Sequence, residues 1–156
     1  MDYESLLRWL HVIGATVLLG TGAGIALFLV MAHRTGDARL IAGTARIVVA
    51  ADFLFTATAV VAQPVTGWRL AREVGWPMTE GWILASLCLY ALAGACWLPV
   101  VRIQIQIRDL AAEAAGRGTP LPERYHRLYR IWFALGFPAF AAVLAILWLM
   151  VARPAP

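Results

Sequence analysis

The chain has 156 residues, of which 62% are hydrophobic and only 14% are charged, and its formal net charge is +4. A soluble globular domain would be about 45–50% apolar and about 25% charged, so this composition excludes a soluble domain and indicates an integral membrane protein. All 13 basic residues are arginines that stand between apolar segments. Membrane topology explains that placement better than nucleic-acid binding does, so no nucleic-acid partner is expected.

Four apolar segments of the sequence are each long enough to cross a bilayer, since about 20 apolar residues suffice. They cover approximately residues 5–31, 41–63, 81–101 and 131–152. The connections between them are too short for a second domain. We therefore expect a single all-α domain over residues 1–156, an integral membrane four-helix up-down bundle.

Turn-forming residues indicate where the helices end. Gly36 and Asp37 separate the first two spans, and Pro64 ends the second span ahead of a connecting segment over residues 65–80. A polar stretch over residues 102–115 keeps a helical pattern beyond the third span, so this helix is expected to project into water. Four residues then break the pattern: Gly116, Gly118, Pro120 and Pro122.

The arginines also predict the orientation of the chain. They are concentrated in the first and third connections, and basic loops stay in the cytoplasm. We therefore expect a multi-pass protein of the bacterial inner (cytoplasmic) membrane with its N- and C-termini outside. Asp2 and Glu4 precede the first span, unlike the basic start of a cleavable signal, so this span is expected to be retained.

His11 is an ionisable residue inside the first span. On an α-helix it shares one face with a series of small and apolar residues, which are Gly14, Ala15, Leu18 and Gly22. This face offers an imidazole nitrogen beside a shallow trough, into which a neighbouring helix or a flat cofactor fits. Two interpretations follow. His11 either packs against and bonds a neighbouring helix, or it is an axial ligand to haem iron.

A second haem ligand is harder to name, because no other histidine lies at the depth of His11. His33 and His126 belong to the cytoplasmic side, where we expect contact with headgroups or solvent. Met78 and Met150 lie at a suitable depth for a sixth ligand. An oxygen ligand, or none, is the alternative.

The second span carries a polar stripe formed by Asp52, Thr56 and Gln63, which fall within about 40° of one another on a helical wheel. Facing lipid, these groups would lack hydrogen-bond partners, so the stripe is expected to face the bundle interior. Asp52 is then either a structural partner that ties two helices together, or part of a proton path or second shell for a redox site near His11.

Several other residues are expected to serve packing. Cys88 and Cys96 are eight residues apart on one helix, hence about 12 Å apart and too distant for a disulfide. The aromatic residues of the last two spans are interpreted as packing and interface anchors rather than a cofactor box: Trp97, Trp132, Phe137, Phe140 and Trp148.

Residues 8–34, RWLHVIGATVLLGTGAGIALFLVMAHR, resemble the first helix of the HemJ and CopD group of small bacterial membrane proteins. Residues 51–68, 89–101 and 132–150 are similar to the hallmarks of an uncharacterised bacterial family of predicted integral membrane proteins, and this second resemblance covers nearly the whole chain. The HemJ resemblance implies b-type haem bound through His11 and oxidation of protoporphyrinogen, and the CopD resemblance implies copper handling. Only the ligand role of His11 is carried over, because the third and fourth helices do not match HemJ motifs.

The sequence therefore predicts an inner-membrane b-type haem protein that acts in electron transfer or a membrane-confined oxidation, as a haem-dependent oxidoreductase whose catalytic residues are unknown. A cofactor-free membrane scaffold or accessory subunit is one alternative. A small ion- or proton-coupled transporter with a half-channel along the Asp52 stripe is another. Expected partners are the lipid bilayer, a redox partner protein and a second copy of the chain, since Gly20 and Gly24 offer a small-residue face.

Overall fold

The computed structural model describes residues 2–153 and contains four long helices in this range. We number them in chain order as α1 (Tyr3–Thr35), α2 (Ala38–Val74), α3 (Gly81–Arg117) and α4 (Glu123–Ala152). Each helix is long and apolar enough to cross a membrane. The expected all-α, four-helix membrane architecture is thereby confirmed. Helix α2 packs against both α1 and α3, and α3 packs along α4.

The helix ends follow the turn chemistry of the sequence. Gly36 and Gly118 end α1 and α3 in the left-handed conformation, with φ of 68° and 63°, which glycine adopts without steric cost. Asp37 then caps α2 by accepting a hydrogen bond from the backbone N–H of Arg39 at 2.8 Å. The breaks predicted at Gly36–Asp37 and at Gly118 are confirmed, and successive helices run antiparallel through short connections.

This up-down course gives the bundle two distinct ends. The terminal end, as we name it, carries both ends of the described chain and the α2–α3 turn over residues 75–80. There Arg69 of α2 donates a hydrogen bond to the Tyr3 hydroxyl at 3.3 Å. The loop end carries the α1–α2 and α3–α4 connections. Hydrogen bonds from Ser5 to Asp2, which caps α1, lower the pKa of the Asp2 carboxyl and favour its charged form.

Helix α2 does not end at Pro64, so the predicted boundary there is wrong. A proline has no backbone N–H and leaves the carbonyl four residues earlier without its helical partner. That carbonyl belongs to Val60, and it accepts a hydrogen bond from the Tyr90 hydroxyl of α3. Because a neighbouring helix supplies the missing donor, α2 continues to Val74, and most of the segment expected to be a loop is helical.

Replacing Tyr90 with phenylalanine is expected to destabilise the bundle by about 1–3 kcal/mol, because the Val60 carbonyl loses its donor. Pro64→Ala returns a backbone N–H to the same carbonyl, so Tyr90→Phe should cost clearly less in that background. Chemical unfolding in detergent of the wild type, the two single variants and the double variant measures the cost of Tyr90→Phe in each background. Equal costs in the two backgrounds would contradict the link between Tyr90 and Pro64.

The apolar core shared by all four helices lies in the half of the bundle nearer the loop end. It contains Ile25, Leu29, Ala32, Ile41, Ala42, Ala45, Val48, Ile103, Ile107, Ala111, Tyr125 and Trp132. Helix α4 has only three buried residues, namely Tyr125, Trp132 and Ala142. The polar residues of the sequence analysis lie outside this core, in the half nearer the terminal end, where α1 packs against α2.

A short π-helical segment, Asp52–Thr56, interrupts the α-helical hydrogen bonding of α2 near its middle. At its end the backbone N–H of Ala57 donates to the carbonyl of Asp52, five residues earlier. Such segments are single-turn insertions in an α-helix and are frequent at functional sites. This one places Asp52 where the apolar core gives way to the polar half.

Candidate functional site

Asp52 is the centre of a buried hydrogen-bond network that joins three helices. Its side chain is 3% exposed. One carboxylate oxygen accepts from the Trp97 indole N–H of α3 at 3.2 Å, and the other accepts from the Gln104 amide of α3 at 2.8 Å. The amide oxygen of Gln104 accepts in turn from the Trp132 indole N–H of α4 at 3.2 Å. We assign the Gln104 amide in this orientation because it gives both of its ends a partner, whereas the reverse orientation sets acceptor against acceptor and donor against donor.

The burial of the polar stripe agrees with its expected direction. Asp52, Thr56 and Gln63 are 3%, 7% and 8% exposed, so all three side chains face the interior. The structure extends the expectation that Asp52 ties two helices together, because its network reaches α4 through Gln104. Sequence reasoning treated Trp97 and Trp132 only as anchors and missed that both donate within this network. A buried indole N–H needs an acceptor, which is the signal that could have found them.

His11 lies against α2, with its Nδ1 atom 3.0 Å from the Thr66 hydroxyl oxygen. That hydroxyl also lies within hydrogen-bond distance of two backbone carbonyls of its own helix, those of Ala62 at 2.9 Å and Gln63 at 3.2 Å, and we assign its single hydrogen to this pair. Thr66 therefore accepts from His11, which assigns the proton of the neutral imidazole to Nδ1 and leaves the lone pair on Nε2. The hydrogen-bond geometry thus orients His11 with one ring nitrogen free to act as a ligand or acceptor.

Two glycines allow the close approach of α1 and α2 at His11. A Cβ atom on Gly67 would lie 2.9 Å from Cε1 of the His11 ring, a distance that side chains do not tolerate. A Cβ on Gly14 would lie 3.1 Å from the amide oxygen of Gln63. A neighbouring helix therefore fills the trough at Gly14. Leu18 is half-buried, and a Cβ on Gly22 would meet open space.

The predicted sixth ligands lie on other elements at the terminal end. Met78 belongs to the α2–α3 turn, and Met150 lies two residues before the end of α4. The structure brings His11 together with Thr66, Gly67 and the amide of Gln63. A role for Met78 or Met150 as an iron ligand stays a prediction.

His33 is not a headgroup or solvent histidine, and that expectation is wrong. Because α1 continues to Thr35, His33 stays on the helix, with Nδ1 2.9 Å from the hydroxyl oxygen of Tyr125 in α4. Its ring also stacks on that of Tyr129 at a centroid distance of 3.5 Å. His126 is exposed, in agreement with the expectation. The spacing of Tyr125 and Tyr129, one helical turn apart, is the signal that sequence reasoning passed over.

A protein-family model described as predicted integral membrane protein (DUF2269) matches residues 5–154. The match takes in all four helices. The chain belongs to this family. No curated protein and no solved structure matches the chain. Family membership agrees with the four membrane-crossing helices, and it confirms the resemblance seen in residues 51–68, 89–101 and 132–150.

Proposed function

We propose that this chain is a membrane-embedded b-type haem protein, similar to the HemJ group, in which Nε2 of His11 is the axial ligand of the iron. The observation that carries the proposal is the hydrogen bond from His11 to Thr66. Ligating histidines typically donate their other ring N–H to an oxygen acceptor, which orients the ring and raises its basicity as a ligand. His11 already has this arrangement.

The residues around His11 fit one axial ligand. Gly67 lacks a Cβ, so α2 packs directly against the Cε1 edge of the imidazole and holds the ring in place, and the first helix is apolar around it. The Gly14 part of the expected cofactor face does not fit, because the Gln63 side chain lies there. Because Gly14 lies between His11 and the Leu18–Gly22 part of this face, the proposal keeps only His11 as a cofactor contact, and Met78 or Met150 would supply the sixth ligand.

A bound haem would supply a one-electron redox centre. The chain's own residues then bind and orient it: His11 as ligand, Thr66 as its positioning residue. Asp52, Thr56 and Gln63 form the polar second shell along α2. We place the site near the outer side of the bacterial inner membrane, where a redox partner protein exchanges electrons in electron transfer or a membrane-confined oxidation.

The test is an absorption spectrum of the detergent-purified protein, expressed with ample haem, in its oxidised and dithionite-reduced forms. The wild type is expected to show a Soret band that shifts on reduction. His11→Ala should lose the band, and His126→Ala, which removes an exposed histidine, should keep it. A colourless wild type, or an unchanged band in His11→Ala, would overturn the proposal.

A second candidate function is a cofactor-free scaffold or accessory subunit, and the network around Asp52 favours it. Both carboxylate oxygens have donors there, and the network joins α2, α3 and α4 as a structural element would. In this case His11 and Thr66 serve only to hold α1 on α2. A colourless but stable protein that co-purifies with a partner subunit would support this function.

A further inference from the structure

Within residues 2–153, two buried polar atoms without hydrogen-bond partners lie along α2 between Asp52 and the level of His11. They are the hydroxyl oxygen of Thr56 and the amide oxygen of Gln63, and both side chains are more than nine-tenths buried. Thr56 is one helical turn from Asp52, and Gln63 is one turn from Thr66, the partner of His11. Buried polar groups are almost always bonded to protein or to ordered water. Buried waters typically bond to polar groups that would otherwise lack a partner.

The groups on the loop-end side of Asp52 and those on its terminal-end side differ in their ability to pass on a proton. Towards the loop end it is bonded by Gln104, which Trp132 holds in place, whereas Trp97, seven residues earlier on α3, donates from nearer the terminal end. An indole N–H donates but cannot accept a hydrogen bond, so it cannot pass a proton on. The shared apolar core lies beyond these groups. Towards the terminal end stands Thr56, whose hydroxyl can both donate and accept.

The side chains bonded to Asp52 are not charged. In the described part of the chain no salt bridge includes it. Most ionisable groups on α2 and on the helices that pack against it lie nearer the ends of the bundle, with His11 and Tyr90 towards the terminal end and Arg46, Arg102, His33, Tyr125 and Tyr129 towards the loop end. The thiol of Cys96, next to Trp97 on α3, is buried at mid-depth. Among the described residues, Asp52 is therefore the only carboxyl group in the middle of this interface.

We infer that Asp52 is a mid-membrane proton-binding site, open to water at the terminal end through Thr56 and Gln63 and closed towards the loop end by Gln104 and Trp132. A proton from the water at the terminal end adds to a carboxylate oxygen and neutralises it, and no electron moves in this step. The site goes beyond the haem proposal and does not depend on it.

The experiment uses dicyclohexylcarbodiimide, which enters the bilayer and reacts with protonated carboxyl groups in apolar surroundings. The full chain is reconstituted in vesicles, and cleavage by added trypsin after Arg117 in the α3–α4 connection reports which end faces outward. The pH is then changed on one side at a time. Mass spectrometry of the peptide that contains Asp52 gives the labelling rate.

Lowering the pH at the terminal end is expected to raise the labelling rate of Asp52 by up to about tenfold for each pH unit. The same change at the loop end should leave the rate unchanged. Thr56→Val combined with Gln63→Leu should remove the response, and Gln63→Leu alone provides the test if the double variant does not fold. A labelling rate that responds to the pH at the loop end, or that responds to the pH on neither side, would overturn the inference.

Two controls accompany these measurements. Asp52→Asn keeps the size of the side chain and should abolish labelling of this peptide. Thr58→Val removes a hydroxyl that is exposed and donates to the Leu54 carbonyl on α2. It should respond to pH as the wild type does, and loss of the response in Thr58→Val would contradict a path that runs through Thr56.

Discussion

Replacing Gln104 with leucine is expected to lower the free energy of unfolding by about 2–6 kcal/mol. The substitution is close in size but leaves one oxygen of Asp52 and the indole N–H of Trp132 without partners in the interior. Each buried polar group deprived of its hydrogen bond costs about 1–3 kcal/mol, and more if it is charged. Chemical unfolding in detergent, followed by circular dichroism, measures the difference.

Gln106→Leu is the matched control for this prediction. Gln106 is on the same helix, two residues further, and its hydrogen bonds to Arg102 and Arg124 are exposed. Its replacement should change stability by no more than about 1 kcal/mol. If the two leucine variants were equally stable, Gln104 could not be the link between α2 and α4 that its geometry indicates.

Thr66→Val is expected to weaken haem binding by about 10–100-fold, which is the usual effect of removing the group that orients a ligating histidine. Valine matches the shape of threonine but cannot accept the hydrogen of His11 Nδ1, so the ring loses its fixed tautomer and direction. Haem titration of the apoprotein, monitored at the Soret band, gives the affinity.

Thr58→Val controls for the loss of a hydroxyl from α2, because Thr58 bonds a carbonyl of its own helix as Thr66 does but lies on an exposed face. Its haem affinity should equal that of the wild type. If Thr66→Val bound haem as tightly as the wild type, Thr66 could not be the residue that orients His11 as an iron ligand.

The membrane-spanning helices could be predicted because bilayer thickness imposes a length that composition reveals directly. The ends of α1 and α3 could be predicted for a similar local reason, since Gly36 and Gly118 adopt positive φ without cost. The inward direction of the Asp52 stripe followed from the lack of water in lipid. These features depend on residues close together in sequence, or on the solvent.

The features that could not be predicted depend on partners from other helices. Pro64 has the local properties of a helix end, and only the Tyr90 hydroxyl, brought from α3 by the fold, makes α2 continue. The donors of Asp52 are Trp97 and Gln104, whose positions opposite it follow from the register of α2 and α3. The sequence of either helix alone does not predict the register between α2 and α3.

The π segment at Asp52 has a consequence for related sequences. It is equivalent to one inserted residue, so the parts of α2 before and after it are out of phase by about 100°. Deleting one residue there would restore a continuous α-helix and rotate Gln63 and Gly67 away from α1. A relative that lacks the insertion would therefore present a different face of this helix to its neighbour, even with every side chain on it conserved.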